Sequence, residues 1–507
     1  MVKIGWAEVN ITPDKKISLA GQFAERISEY VEKPLTATAL AIENNGEQVV
    51  FCSCDLGSTA WNLVTDVRAR LADNQLGLDP EKVILNAIHT HTGPVFPGGQ
   101  RSAANTAGTI RNFRQTLEEF LAPGQKYIER ENISTNSDIA TSEEVYALLL
   151  ERLPQAILEA WSSRKEGSFS NAFGRVAVGM CRRVLYSDKS AQMWGDTNTA
   201  VFSAIEGGSD SGLELLYFFD ADKKLTGIVA NLACPAQCVQ HRMFVSPDFW
   251  GEVKVLLRAH FGEELFLLPQ CSAAGDQCPV DLVRWVEPDT ELNDPNIKQR
   301  TLTNRKADPS MFDIQGMRKV GKRIASEIIE VWKEGVDAPQ EDPEFIHEVK
   351  LLQLPLRRAT LTDLENAKRG IREYLNNKQG DVDYNDVALL QIHLGVMKRF
   401  RLQEQMETLD TEVHVIRLGT VALATNPFEL FLDYGNQIKA RSRASQTFLI
   451  QLANGAEGYL PTERAEEHGH YSAFISSGQI GHVGGEQLVR ETLKYINNMF
   501  ASYDGDM

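Results

Sequence analysis

Three pairs of apolar, β-rich runs, each pair folding back across a turn, constrain this chain more than any other feature. Residues 36–42 and 48–54 flank Asn44-Asn45-Gly46, whose Asn-Gly step suits a tight hairpin turn. Residues 213–219 and 225–232 flank Asp220-Ala221-Asp222-Lys223-Lys224, and residues 412–418 and 421–425 flank Gly419. Elsewhere the apolar spacing switches to the helical period. Helices are expected over 63–76, 142–162, 252–261, 313–332, 361–376, 386–405, 427–439 and 486–499, with further strands over 82–87, 264–268 and 447–452. Hairpins mixed with single strands and long helices predict one large α/β domain over residues 1–507, a central mixed sheet flanked by helices. Two stretches, 94–141 and 280–311, read as long loops of the kind that cover a site, the first with a short helix near 110–120.

Charge narrows the partners. Lys and Arg number 52 against 69 Asp and Glu, a net charge of −17, which argues against nucleic acid and anionic membrane surfaces and leaves a small-molecule substrate. The opening Met1-Val2-Lys3-Ile4-Gly5-Trp6-Ala7-Glu8 has no apolar run of the signal-peptide kind, and no stretch is long and apolar enough to span a bilayer. The expected location is cytoplasmic. The seven cysteines are odd in number in a long chain, which argues against a disulfide framework. Oligomeric state is not legible.

The chemistry concentrates where strands end. The run Lys82-Val83-Ile84-Leu85-Asn86-Ala87 leads into Ile88-His89-Thr90-His91-Thr92-Gly93-Pro94. If the strand continues through the pair, alternation puts both imidazoles on one face, where they can ligate a metal, or one can ligate while the other moves protons. Four distant patches also follow strand-like runs: Asn231 to Gln237 with Cys234, Pro269 to Pro279 with Cys278, Thr425 to Glu429, and Asn454 to Thr462 with Tyr459. Strand carboxyl ends are where open α/β sheets place ligands. Each patch also has a plain reading. Cys234 suits a small buried hydrophobe, Asn426-Pro427-Phe428-Glu429 suits a capped helix start, Gly275-Asp276 suits a turn, and Tyr459 suits a half-buried aromatic.

Taken in order, these patches resemble the catalytic domain of the neutral (non-lysosomal) ceramidases, zinc-dependent amidases that cleave an N-acyl bond. The resemblance runs over nearly the whole chain. It covers Asn10-Ile11-Thr12-Pro13, His89 to Pro94, the Arg182-Arg183 patch, Ser246-Pro247-Asp248-Phe249-Trp250-Gly251, Gly275-Asp276-Gln277-Cys278-Pro279, Pro427-Phe428-Glu429, and Tyr459 to Tyr471. It implies a Zn²⁺ site with His89, Glu429 and Tyr459 as ligands. It implies His91 as the proton-handling neighbour, and Arg182 and Tyr471 as the groups that hold the substrate carbonyl.

Two positions depart from the family pattern. Cys234 stands where the family has a second zinc-binding His, and its thiolate is itself a zinc ligand type. Cys278 stands where the family has its active-site Ser, and would orient water or attack directly. The family also carries a carboxyl-terminal immunoglobulin-like domain that is not expected here, and nothing reads as a lipid-docking surface. The expected function is therefore a zinc-dependent hydrolase cleaving the N-acyl bond of a small polar substrate. The alternatives are an esterase, a deacetylase or a carbohydrate-directed enzyme on the same fold, or a metal-binding relative without catalysis.

Overall fold

An eight-stranded mixed sheet forms the centre of the computed structural model, which describes residues 1–22, 25–98, 116–128, 137–284 and 311–501. Its strands are β1 (Lys3–Asn10), β2 (Thr36–Asn44), β3 (Glu47–Cys54), β4 (Val83–Ala87), β5 (Lys165–Arg175), β6 (Gly212–Asp220), β7 (Leu225–Leu232) and β8 (Phe266–Cys271). They lie in the order β8-β7-β6-β5-β1-β2-β3-β4. A second sheet takes β9 (Phe345–Pro355), β10 (Thr408–Leu418), β11 (Val421–Thr425) and β12 (Gln446–Ile450) in chain order.

Neighbours within these sheets run antiparallel except β3/β4, β7/β8 and β11/β12, which run parallel. A parallel pair needs a crossover. The helices that supply it are α1 (Trp61–Leu71), α3 (Phe249–Phe261) and α7 (Leu432–Arg441). The remaining helices used below are α2 (Ser142–Ser162), α4 (Asp313–Glu334), α5 (Leu361–Asn377), α6 (Tyr384–Leu402) and α8 (His482–Met499).

Burial explains the layering. On one face of the large sheet, Leu63 and Val67 of α1 and Leu149, Leu153 and Ile157 of α2 pack on Val9, Ala39 and Val50. Val253 and Leu257 of α3, with Ile324 and Ile328 of α4, cover Leu213, Leu215 and Ile228. The opposite face meets the second sheet, where Ile42, Phe51, Phe218 and Leu268 pack on Ile416, Leu423, Phe448 and Ile450. Leu488 and Ile496 of α8 close the outer face of that sheet against Val413, Val415 and Leu449. The result is four layers, helix-sheet-sheet-helix. It is also why β2 and β3 read as nearly unbroken apolar runs: both of their faces are covered.

All three anticipated hairpins form, and α2 spans the expected residues. Thr141 and Glu144 close its start as a reciprocal box, with Glu144 N to Thr141 Oγ1 at 3.1 Å and Thr141 N to Glu144 Oε2 at 2.8 Å. The helix expected over 63–76 stops at Leu71. Asn74 ends it: its Nδ2 donates to the Leu71 and Leu78 carbonyls at 2.7 and 2.8 Å, and its Oδ1 accepts from Leu76 and Leu78. Most of the two expected covering loops, and of the short helix near 110–120, lies outside the described residues. Among the described residues, no helix is long and apolar enough to cross a membrane.

A buried polar chain joins the two sheets near β4. His347 Nδ1 donates to the Gln48 carbonyl at 2.9 Å, because a carbonyl only accepts. His347 Nε2 stands 2.8 Å from His414 Nδ1, and His414 Nε2 stands 3.0 Å from both Glu412 Oε1 and Asn454 Nδ2. Arg68 of α1 grips Glu412 with Nη2 to Oε1 at 2.9 Å and Nη1 to Oε2 at 3.2 Å. Asn454 also accepts from Leu85 N at 2.8 Å, tying the strand before His89 to the segment before Tyr459.

Candidate functional site

The three parallel pairs point their carboxyl ends at one place. β3 and β4 lead to Gly57 and His89, β7 and β8 to Cys234 and Gly275, and β11 and β12 to Glu429 and Tyr459. Backbone bonds lash these loops together: Ala236 N to Ile88 O at 3.3 Å, Ser272 N to Leu232 O at 2.9 Å, Gln451 N to Cys271 O at 3.0 Å, and Gly275 N to Leu430 O at 2.8 Å. Gly275 permits the last of these, since a Cβ there would stand 2.3 Å from the Glu429 carbonyl oxygen.

His89 and His91 do not share a strand face, as alternation suggested. β4 ends at Ala87, and His89 takes a left-handed backbone, φ 63°. Such a conformation persists at a non-glycine residue only where its surroundings over-determine it. Here Nδ1 donates to the Gly57 carbonyl at 2.5 Å. With the proton fixed on Nδ1, a neutral ring presents a bare lone pair at Nε2. That atom is buried without a well-formed hydrogen bond, and Glu429 Oε2 lies 3.2 Å from it.

Glu429 is not in the first turn of a helix from Pro427, as the Asn-Pro-x-Glu pattern suggested. Phe428 and Phe431 are drawn into the core. The backbone between them extends as a two-residue strand, Glu429–Leu430, that pairs in parallel with Tyr459–Leu460, so Glu429 stands directly beside Tyr459. The helix begins only at Leu432, where Asp276 Oδ1 accepts from its backbone N–H at 2.9 Å. Burial pushes the Glu429 carboxyl up, but His89, Arg182 and a hydrogen bond from Tyr459 outweigh it and hold the group below its ordinary value.

Arg182 completes this side. Its Nη2 donates to Tyr459 Oη at 3.1 Å and to the Gly275 carbonyl at 2.9 Å, and its Nη1 donates to Gln237 Oε1 at 3.4 Å. Burial works against its charge, yet Tyr459, Glu429 and Cys278 together raise its pKa further. Tyr471 sits edge-on to Tyr459, ring centroids 5.4 Å apart. Burial and the Glu429 charge push the Tyr471 phenol up to about 12, and burial, Glu429 and Tyr471 push Tyr459 well above its ordinary value. Both are neutral donors at neutral pH.

His91 stands edge-on to His89, ring centroids 5.0 Å apart. Because Gln237 Oε1 faces a guanidinium, its Nε2 is the end that donates to His91 Nε2, at 3.0 Å. Burial, then His89, Arg26 and Arg182, hold His91 well below its ordinary pKa, so the ring is neutral. Gly21 lies flat on it with φ 88°, and a Cβ there would meet His91 Cγ at 2.2 Å. Gly21→Ala is therefore expected to cost about 1–2 kcal/mol from the backbone alone, and to displace His91. Thermal unfolding and hydrolysis assays check it; unchanged values for both would contradict the packing.

The cysteines stand apart. Cys234 is wholly buried, with Sγ 3.6 Å from the Val178 carbonyl and 3.7 Å from that of Pro235, in the apolar cluster beneath α3 and α4. Burial, then Cys271 and Cys278, push its thiol well above the ordinary value. Among the described residues, no three His, Cys, Asp or Glu side chains stand together at metal-holding separations, so Cys234 does not join His89 and Glu429 in one such group. Cys278 lies within reach of the Arg182 charge and packs in a cluster with Val184, Trp194 and Phe312 that Tyr471 adjoins. Gln237 was overlooked by sequence reasoning, although it sits three residues after Cys234. Gly57 carried no signal at all.

The buried pair His89 Nε2 and Glu429 Oε2 tests the fit of a cation. Nε2 and Oε2, 3.2 Å apart in a low-dielectric pocket, need a positive species between them, which is either a second proton on the imidazole or a bound cation. With Tyr459 Oη beside them the donors are one nitrogen and two oxygens, a set that suits zinc.

No protein-family model and no curated protein sequence matches the chain. Solved structures do. The neutral ceramidase from Pseudomonas aeruginosa superposes with a TM-score of 0.65 at 15% identity, over 97% of this chain and 73% of that one. A ceramidase structure described as complexed with C2 gives 0.64 at 15% identity, over 98% and 75%. At such identity the likeness speaks for architecture: the chain is a mixed α/β domain with a central sheet flanked by helices, and it has the neutral-ceramidase fold.

Proposed function

We propose that this chain is a zinc-dependent hydrolase that cleaves the N-acyl amide bond of a small polar substrate. The observation that carries the reading is the facing pair of buried acceptors, His89 Nε2 and Glu429 Oε2, backed by Tyr459 and the Arg182 charge. His89, Glu429 and Tyr459 would hold the metal, while Cys234, the remaining ligand expected from the sequence, turns its thiol away from them toward the Val178 carbonyl. Zinc, when bound, supplies Lewis-acid polarisation of the scissile carbonyl and makes the attacking water more acidic.

The other groups have their own tasks. Arg182 and Tyr471 donate to the oxygen that gains charge as water adds to the acyl carbon. His91, neutral at neutral pH, takes the proton that water loses at Nε2, in exchange for its bond from Gln237, and returns it to the leaving nitrogen as the C–N bond breaks. Cys278 would orient the water; were its thiol to attack instead, the amine would leave with a proton from His91 and water would then cleave the resulting thioester. The fold likeness to neutral ceramidase supports the amide as the bond class. The polar lining of Arg182, Gln237 and His91 supports a polar substrate.

A second reading, a metal-binding relative without turnover, is favoured by the direction of the Cys234 thiol, toward the Val178 carbonyl. One experiment separates the two. Metal content is measured on freshly purified, unchelated wild type and on Cys234→Ala, and both are assayed against amide, ester and glycoside panels. The expected result is one zinc per chain and amide turnover in the wild type, with zinc retained in the variant because the Cys234 thiol points away from the other donors. Zinc without turnover on any panel supports the second reading, and absence of metal removes both.

A further inference from the structure

Arg182 and Arg183 are neighbours that make entirely different contacts. Arg182 reaches Tyr459 and Gly275. Arg183 is wholly buried and reaches the segment that carries Tyr471. Its Nε and Nη2 fork onto the two carboxylate oxygens of Glu206, the Nη2 bond at 3.2 Å. The same guanidinium donates to the Gly469 carbonyl at 2.7 Å, to the Tyr471 carbonyl at 3.0 Å and to Ser472 Oγ at 3.4 Å. Glu206 is held in turn, its N–H donating to the Arg183 carbonyl at 2.9 Å and its Oε1 standing 2.9 Å from His468 Nδ1.

That segment needs holding. His470 and Ser472, on either side of Tyr471, both have φ 72°. Left-handed residues without glycine's freedom relax unless several bonds oppose the relaxation. Arg183 supplies those bonds at 469, 471 and 472, and Met193 N adds one to His470 Nδ1 at 3.0 Å. A planar fork with five donors does this where a lysine ammonium has no matching geometry.

We propose that Arg183, braced by Glu206, is the positioning residue for Tyr471. It holds a strained turn so that the phenol stays edge-on to Tyr459, beside Glu429 and Arg182. Arg183 itself does not touch the reacting atoms. Its kinetic consequence rests on the hydrolase reading; its structural consequence does not.

The test places 3-fluorotyrosine at position 471 and follows its ¹⁹F resonance in wild type, R183M, R183K and E206Q. In parallel, kcat and KM are measured on a chromogenic N-acyl p-nitroanilide for these variants, Y471F and R183M/Y471F. In wild type the fluorine gives one narrow line; in R183M it moves toward the free amino acid and broadens, with R183K and E206Q in between. R183M and Y471F each lower kcat about a hundredfold with little change in KM, and the double variant falls no more than about twofold below Y471F, because both act through one phenol.

A folded R183M with the wild-type resonance overturns the proposal, as do losses that multiply in the double variant. If R183M does not fold, E206Q carries the same comparison. If wild type turns over no amide at all, the hydrolase reading fails while the fluorine line still decides the clamp.

Discussion

Glu429→Gln is expected to empty the proposed metal centre and to lower kcat/KM by a factor on the order of 10³, about 4 kcal/mol of transition-state stabilisation. Among the described residues the Glu429 carboxylate is the anionic donor beside His89 and Tyr459, so its loss removes the charge that a divalent ion would find there. The fold should not suffer. The amide N–H of Gln can donate to His89 Nε2, replacing two opposed acceptors with a donor and an acceptor. The expected signature is therefore unusual: a melting temperature equal to or above that of the metal-free wild type, together with lost zinc retention and lost turnover. Zinc titration by calorimetry, read beside thermal unfolding, checks it. A variant that keeps stoichiometric zinc would remove Glu429 from the ligand set.

Arg68→Met should be the most destabilising single change outside the site, by about 3–5 kcal/mol. Arg68 and Glu412 are both buried, and removing the guanidinium strands a carboxylate between His414 and Asn454. Burial pushes Glu412 up, but hydrogen bonds from His414 and Arg68 hold it far below its ordinary value. Burial also holds His347 and His414 below theirs.

The signs agree. Each of these groups binds its proton more weakly folded than unfolded, so the unfolded chain gains protons first as pH falls. The histidines' contribution is intact above about pH 6.5 and declines below it. That of Glu412 is intact above about pH 4.5 and declines below that. In Arg68→Met, part of the depression at Glu412 is gone, so the stability profile should flatten below pH 4.5, while the histidine limb near pH 6, set first by burial and only secondarily by Arg68, shrinks but remains. Urea unfolding from pH 3.5 to 8 reads both, and a profile parallel to wild type throughout would contradict the assignment.

The strands that could be read from the sequence were those with uninterrupted β-branched and apolar residues, such as Val49-Val50-Phe51-Cys52. β5 was not visible, because Gly167, Ser168, Ser170, Asn171 and Gly174 dilute it, and it exists through pairing with β6. The helical reading of Asn426 to Glu429 followed local propensity. Burial of Phe428 and Phe431, together with pairing to Tyr459, overrode it.

At the site, chemistry-bearing residue types were legible because they stand where strands end, and His89, Glu429, Tyr459, Arg182 and Tyr471 do converge. Backbone groups and long-range carbonyl contacts have no residue signature. The Gly57 carbonyl that fixes the His89 proton, and the contacts by which Arg183 holds the Tyr471 segment, emerge only in three dimensions.

The three crossovers that meet at the site have a temporal consequence. His89 and Glu429 are separated by more than three hundred residues, with Arg182 between them and Tyr459 beyond. No fragment emerging early from a ribosome holds the whole donor set, and no partly ordered chain can bring it together before both sheets have closed. Capture of the proposed metal should therefore be the last event of refolding. Zinc added to a folding chain would report completion rather than nucleate it, and a zinc-sensitive dye would lag every backbone signal.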